Sequence, residues 1–491
     1  MPSTPGTHRL LEWTMVVLHR LASNVRICVK STRRFTTTRL NSKIYAQRAR
    51  ETRPGTMKVA VEGCCHGELD NIYKHIEMLE KKNQYNVDLL LICGDFQAVR
   101  NHQDLQCMAV PDKYKHLQTF HKYYTGEKKA PVLTVIIGGN HEASNYMWEL
   151  YHGGWLAPNI YFLGHAGSVL FGGLRISGAS GIFKDYNFPS GYFERMPYDR
   201  SAVRSIYHIR EFNVRKLSLL PSPNIFLSHD WPAGIDQYGD FRALLRRKPH
   251  FREEIERGSL GSPPLMGLLH TLQPEWWFAA HMHCRFDATV VHPNVEDALS
   301  VSANPDEISI EEDFEYAAGS PSAAQPRVAS NPDEIALEDE EEAVVPVPAA
   351  KSPPAVTRFI ALDKCLPRRD FLEVVNISTN SQRSAELCFD PEWLAITRAF
   401  HPWFSLTKSQ KPFPAEHQAR KMITKEREWV QTNLLKGGTD TIPISSTQQF
   451  VRTAPPPGSE GSQKFKQPRP VSNPQTKAYC QMLQIANMIN Q

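Results

Sequence analysis

The 491-residue sequence contains no continuous apolar run of the roughly 18 residues that a membrane-spanning helix needs, which excludes a helical span. Disulfide patterning is also missing. The nine cysteines (Cys28, Cys64, Cys65, Cys93, Cys107, Cys284, Cys365, Cys388 and Cys480) are odd in number and show no repeated spacing. There is no signal-peptide pattern with a small-residue cleavage site. A disulfide framework is therefore not expected, and a reducing compartment is. Apolar residues are sparse at roughly 43%, just under the usual globular range of about 45–50%, while proline reaches 36 of 491. The chain can bury a core, with part of its length left outside it. A prior of about 150 residues per domain gives two or three domains. Net charge is small as well, +4 from 56 basic and 52 acidic residues, so the chain is not a polycation.

That small sum is a cancellation. Residues 1–56 carry a net +9, residues 57–292 +1, residues 293–353 −13 and residues 354–491 +7. The first segment is rich in Arg, Ser and Thr, and Leu10 to Ala22 has the apolar spacing of an amphipathic helix. It reads as a basic N-terminal extension, either a targeting segment or non-native sequence ahead of Met57. The acidic segment repeats Asn304-Pro305-Asp306-Glu307-Ile308 as Asn331-Pro332-Asp333-Glu334-Ile335. Two copies do not make a solenoid. High charge with few aromatics points to a disordered acidic insertion.

Residues 57–292 read as alternating strands and helices. The strand-like runs are Val59–Val61, Val87–Ile92, Val132–Ile137, Ile160–Leu163, Leu174–Ile176 and Ile225–Leu227. Asp70 to Lys82 carries Ile72, Ile76 and Leu79 at helical spacing. Five polar clusters follow or close apolar runs: Cys64-Cys65-His66, Gly94-Asp95, Gly138-Gly139-Asn140-His141-Glu142, Ser228-His229-Asp230 and His281-Met282-His283. Ligands in open α/β sheets bind at the carboxyl ends of strands. Imidazole, carboxylate, thiolate and amide oxygen together suit transition metals. An extended backbone puts alternate side chains on one side. That pairs Cys64 with His66 and His281 with His283, and leaves Cys65 as a packing residue. Glu142 and Asp230 read either as groups orienting the neighbouring histidines or as caps.

The order C-x-H, G-D, G-N-H-E, H, H-x-H resembles the calcineurin-like metallophosphoesterase superfamily, whose first element is normally D-x-H. The resemblance implies two metals bridged by Asp95. Cys64, His66 and His283 complete one site, and Asn140, His229 and His281 the other. It makes His141 a non-ligating proton donor to the leaving oxygen. The implied fold is α/β: a four-layer β-sandwich flanked by helices, with the acidic insertion and a C-terminal extension. Departures from the general pattern are informative. A phosphoprotein phosphatase continues its G-D with V-D-R-G, whereas here Phe96-Gln97-Ala98-Val99-Arg100-Asn101 follows.

With GCCHGELD (63–70), GGNHEASN (138–145), LSHDWP (227–232) and FIALDKCLPRRDFLE (359–373), the chain is similar to the lariat debranching enzyme family over 57–292 and about 354–400. Residues 400–470 match it poorly apart from an echo at 473–480. The family implies hydrolysis of the 2′–5′ phosphodiester of branched intron RNA by metal-activated hydroxide, in the nucleus. It needs two divalent transition ions (Mn, Fe(II) or Zn), branched RNA as partner, and neither an organic cofactor nor a membrane. The soft Cys64 thiolate favours Zn or Fe over Mg.

Residues 180–210 correspond to the family's lariat recognition loop. They interleave aromatics and cations, which stack on bases and hold phosphates. The contact candidates are Lys184, Tyr186, Arg204, Tyr207, His208 and Arg210. FDATVV (286–291), FIAL (359–362) and FLEVVNI (371–377) are expected to close the second sheet around the 293–353 insertion. Residues 354–400 complete the core and begin the family's C-terminal region, and 401–491 form a basic, partly disordered C-terminal region; beyond about 380 the candidate helices are Glu392–Ala399 and Ala415–Leu434. Two other readings stay open: another binuclear phosphoesterase (a phosphoprotein phosphatase or a nuclease), or a scaffold that has lost its metals. Competent donors at all seven ligand positions argue against the scaffold.

Overall fold

The structure, a computed structural model, describes residues 55–293, 354–379, 385–435 and 439–490. The expectations for residues 1–54 and 294–353 lie outside these residues. The chain divides into a large unit, ending at Val290 and resuming at Val356, and a small one, Val291–Ala355. No helix among the described residues is long and apolar enough to cross a membrane.

The strands, in chain order, are β1 (Thr56–Glu62), β2 (Leu89–Ile92), β3 (Thr134–Ile136), β4 (Gly154–Ala157), β5 (Ile160–Phe162), β6 (Ala166–Phe171) and β7 (Leu174–Ala179). Then come β8 (Ile225–Ser228), β9 (Trp276–Ala279), β10 (Phe286–Val291), β11 (Val356–Ala361), β12 (Leu372–Ser378), β13 (Leu387–Phe389) and β14 (Ile442–Pro443). They form a six-stranded sheet in the order β12-β1-β2-β3-β5-β4 and an eight-stranded sheet in the order β10-β11-β9-β8-β7-β6-β13-β14. The helices that matter below are α1 (Leu69–Asn83), α2 (Phe241–Arg247), α3 (Pro263–Leu272), α4 (Pro391–Phe400), α5 (Glu416–Asn433) and α6 (Pro474–Met482).

The central strands are apolar throughout because both of their faces are covered. On β1 and β2, Ala60, Leu90 and Ile92 pack against Leu69, Ile72, Tyr73 and Ile76 of α1. The alternate residues Val59, Val61, Leu89 and Leu91 join Ile176 and Leu227 of the second sheet. The sequence stops α3 and α4 from starting earlier. Ser262 accepts a hydrogen bond from the Leu265 amide and Asp390 one from the Glu392 amide, each followed by a proline in the first turn. The result is the expected helix–sheet–sheet–helix layering.

One strand assignment changes. FIAL lies in β11 of the second sheet, parallel to β9, but FLEVVNI forms β12 on the edge of the first sheet, antiparallel to β1. Its pairing from Thr56↔Ser378 to Glu62↔Leu372 covers the whole of β1, an extent that the apolar pattern of either strand alone does not specify. β10 and β11, on either side of the acidic segment, are neighbours in one sheet.

The C-terminal stretch is fastened to the core by polar bonds. Arg100, fully buried, binds Asp104 at 2.8 Å, Glu149 at 2.8 Å and the Thr453 hydroxyl at 2.8 Å. Thr453 and Asn473 also donate to Glu149, and Asn101 donates to the Pro455 carbonyl. Removing one partner of a buried ion pair leaves the other charges uncompensated. Arg100→Ala is therefore expected to destabilise the protein by about 3–5 kcal/mol. Urea unfolding checks this; a change within about 0.5 kcal/mol would mark the cluster as no more than a surface feature.

Candidate metal centre

The five polar clusters meet where parallel strands of the two sheets end. β1 and β2, β2 and β3, and β8 and β9 run parallel, so Cys64, Asp95, Asn140, His229 and His281 all emerge at carboxyl ends. Cys64, Asp95 and His229 are buried and form the floor. His66, Asn140, His141, His281 and His283 are half-buried above it. Donor atoms of Cys64, His66, Asp95 and His283 lie within 4.8 Å of one another. On the other side of Asp95, His229 Nε2 stands 3.4 Å from its Oδ1 and 3.1 Å from Asn140 Oδ1. The His229 and His281 rings lie 5.0 Å apart. Asp95 thus sits between the two groups that the sequence separates.

The backbone reaches this geometry by a route that differs from the expected alternation. His66, Asp95, His281 and His283 have φ of 45°, 46°, 59° and 49°. The C-x-H and H-x-H pairs are therefore not extended; His66, His281 and His283 each sit in a left-handed conformation just past a strand, and Cys64 does not. Such conformations cost about 1–3 kcal/mol each and persist at functional sites where surrounding structure imposes them. Cys64 and Cys65 still separate as expected, into the inter-sheet core and the α1 core respectively. Close approach demands glycine beside Asp95. A Cβ on Gly139 would lie 2.2 Å from Asp95 Oδ1, and one on Gly94 2.4 Å from His229 Nδ1.

The donor chemistry fits divalent cations. His229 Nδ1 donates to the Cys93 carbonyl at 2.8 Å, which leaves Nε2 with its lone pair facing the Asn140 carbonyl oxygen. Two acceptors that close call for a positive ion between them. His66 Nε2 and His283 Nε2 lie 3.2 Å apart on the other side of Asp95. Burial pushes the His229 imidazole down to about 4 and that of His283 to about 3, and lowers that of His66, so these rings are neutral near pH 7. Burial, then the Asp95 and Glu62 carboxylates, push the Cys64 thiol well up. A thiolate there requires a compensating cation. His141 behaves in the opposite way. Burial opposes its charge, but its 2.9 Å hydrogen bond to Asp95 outweighs this and raises it above the ordinary imidazole value.

Glu142 and Asp230 bind backbone amides. Glu142 accepts from Phe96 and Gln97 at 2.8 Å and from Gly139 at 2.9 Å, tying the Asp95 and Asn140 turns together. Asp230 accepts from Phe183 at 3.1 Å and Trp231 at 3.0 Å. Neither caps a helix and neither bonds a histidine ring among the described hydrogen bonds; both hold backbone amides of the surrounding turns. Lys364 was not singled out from the sequence. The Cys64 and Lys364 backbones form a bridge, and its charge acts on His66 and His283. Its only signal was its place in FIALDKCLPRRDFLE.

Residues 180–210 are bolted to the centre. Gly181 N–H donates to the Gly138 carbonyl at 2.8 Å, and Phe183 to Asp230. Lys184, Tyr186 and Arg204 are exposed and Tyr207 is half-buried. Arg210 and His208 are corrections. Arg210 is fully buried in an ion pair of 2.6 Å with Glu194 and also binds the Asn187 carbonyl, so it holds the loop together from within. His208 is 4% exposed, bonded to Asn187 at 3.0 Å and pushed down to about 4 by burial.

Residues 57–285 match the calcineurin-like phosphoesterase family, and residues 354–488 match "Lariat debranching enzyme, C-terminal domain". The second match includes the 400–470 stretch that looked dissimilar. A lariat debranching enzyme of Arabidopsis thaliana is 41% identical over 435 residues, 88% of this chain and 88% of that one. The chain belongs to the lariat debranching enzyme family. A family member from Danio rerio is 43% identical over 88% of this chain, which spans 66% of its length. One from Schizosaccharomyces pombe is 42% identical over 86% of this chain and 95% of its own.

The tight Gly139–Asp95 contact gives a direct check. Gly139→Ala would displace the shared carboxylate by a fraction of an ångström or more, and misplacement of about 1 Å costs on the order of 100-fold in rate. Phosphodiester turnover is expected to fall by that order with circular dichroism unchanged. Turnover at the original rate would show that the contact does not set the geometry.

Proposed function

We infer that this chain is a metal-dependent phosphodiesterase that hydrolyses the 2′–5′ bond of branched RNA. One observation carries the reading: 41% identity along 88% of both this chain and a lariat debranching enzyme. The donor cluster supplies the chemistry that such a reaction requires.

Cys64, His66 and His283 would hold one divalent ion, and Asn140, His229 and His281 the other, with Asp95 between them. Bound ions of this kind lower the pKa of a water and neutralise charge on phosphoryl oxygens. In hydrolysis a P–O bond forms to water oxygen and the P–O2′ bond breaks, so the 2′-oxygen must gain a proton. His141 is built to give it. Its ring bonds Asp95 through Nδ1, its backbone amide donates to the same carboxylate at 2.8 Å, and it is the imidazole of the group raised above its ordinary value. Lys184, Tyr186, Arg204 and Tyr207, on a loop fixed to both the Asn140 and His229 turns, are placed to receive RNA beside it.

A defined 2′–5′ branched RNA, linear RNA and a phosphopeptide, each offered with Mn, test the activity. Branched RNA should turn over fastest; preference for the phosphopeptide would sink the reading. His141→Ala should keep its metal content while kcat falls by about 100- to 10,000-fold. Equal loss of metal and turnover would make His141 a ligand.

The metals proposed are two divalent transition ions: Mn, Fe(II) or Zn. Thiolate is the soft donor of the set. Cys64→Asp is expected to shift binding from Zn and Fe towards Mg and Mn in competition measured by elemental analysis. Unchanged selectivity would show that Cys64 does not choose the ion.

A further inference from the structure

A branch nucleotide joins three RNA segments, and the 180–210 loop is tied to the Gly138 and Asp230 turns. A second cationic element, α2, is tied to the His281–Arg285 turn. Phe241, Arg242, Leu245 and Arg246 of α2, with Arg252 from the next helix, line an open groove of about 390 Å³. Arg242, Arg246 and Arg252 are exposed and make no ion pair among the described residues. Residues 241–252 (FRALLRRKPHFR) hold five Lys and Arg and no acid. The nearest acids are engaged or follow later: Asp240 caps α2 by accepting from Ala243, and Glu253 pairs with Arg257.

Two contacts join the groove to the metal centre. Arg247 Nη1 donates to the Arg285 carbonyl at 2.8 Å, which ties the end of α2 to the His281–Arg285 turn. Gly239, just ahead of α2, bridges to Ala288 of β10. These two contacts place the cationic helix beside the turn that carries His283. Arg242, Leu245 and Arg246 stand at i, i+3 and i+4 on one helix face, with Phe241 beside them and the exposed Tyr238 just before the helix. Cations spaced along a groove with aromatic surface between them suit a single strand, whose phosphates pair with arginine while bases stack. Unpaired guanidiniums in a row would repel one another without a polyanion.

We propose that the groove of Arg242, Arg246 and Arg252 on α2 and its neighbouring helix binds one single-stranded arm of the branched RNA as it leaves the metal centre past His283. This rests on the debranching reading and adds a second RNA site to it.

The test compares wild type with Arg242→Ala/Arg246→Ala/Arg252→Ala and with the matching triple Lys variant. Substrates are branched RNAs trimmed to about two nucleotides per arm, and RNAs with one arm extended by about ten. The groove replaces about three phosphate contacts, and each contributes a salt slope of about 0.7 for single strands. For one extended arm, KM of the Ala variant should rise on the order of tenfold with kcat unchanged. The slope of log kcat/KM against log salt should fall by about 2. The Lys variant should recover most of the loss, and trimmed RNA should not distinguish the proteins. Equal KM values on every extended substrate would overturn the proposal, as would an acidic peptide that binds the groove in place of RNA. Anisotropy of a linear ten-nucleotide RNA on the same proteins reads the groove without catalysis. If wild type cleaves no branched RNA, the activity falls while this binding comparison still decides the groove.

Discussion

The Asp95 carboxylate is the constraint on which the rest of the centre depends. It is buried, it receives the amide and the ring of His141, and it lies within 3.7 Å of His66 and 3.4 Å of His229. Burial alone would raise it; the surrounding imidazoles outweigh that and hold it well below the usual carboxylate range. A charge so deeply placed needs neighbours that were positioned before it formed its contacts. Gly94 and Gly139 make room for it, Glu142 clamps the turns on either side, and the Cys93 carbonyl turns His229 towards it. None of these groups has to touch substrate to matter.

The sandwich explains why such distant residues can serve one anion. Parallel strands present their carboxyl ends together, and two packed sheets present two rows of them. The first sheet brings Cys64, Asp95 and Asn140; the second brings His229 and His281. Each leaves its strand through a sharp turn, and four of the ligand positions are left-handed. The cost of those turns, about 1–3 kcal/mol each, is offset by the apolar burial that fixes the strands below them. The 180–210 loop uses the same scaffold. Its base is held by Gly138 and Asp230, next in sequence to the turns that carry the candidate donors.

Much of this was legible because strand burial and ligand chemistry leave separate marks on a sequence. Apolar runs that end in Gly-Asp or Asn-His identify strand ends without any knowledge of their pairing. α1, α4 and α5 fall within a residue or so of the apolar spacing that predicts them. What failed depended on information the local pattern does not hold. Period-two reasoning assumed extended backbone at His66 and His283, where turns bring the donors together. β12 chose the first sheet through pairing with a strand more than 300 residues earlier. Arg210 looked like an RNA contact because composition cannot tell an outward guanidinium from a paired one. The acid that claims it, Glu194, is one of three in the same stretch, with Asp185 and Asp199, and no local pattern marks it as the partner. His208 follows for the same reason, since Asn187 satisfies it from inside the loop.

The C-terminal segment is best understood as part of the catalytic wall. The turn before Cys64 is pressed against it so closely that a Cβ on Gly63 would lie 2.2 Å from the Asp363 carbonyl. Cys64 receives its backbone bridge from Lys364, so the first ligand is positioned by chain that follows the acidic insertion. The loop after Asp95 is held in the same way. Arg100 and Asn101 reach Thr453 and Pro455, while His102 bonds Glu460 through its amide at 2.8 Å and its ring at 3.0 Å. Gln475 braces β4 through the amide and carbonyl of Trp155. A catalytic segment ending near residue 292 would carry all seven donors and still lack the groups that orient the turns bearing Cys64 and Asp95. The family's two parts are therefore one mechanical unit, with the metal centre at the place where they meet.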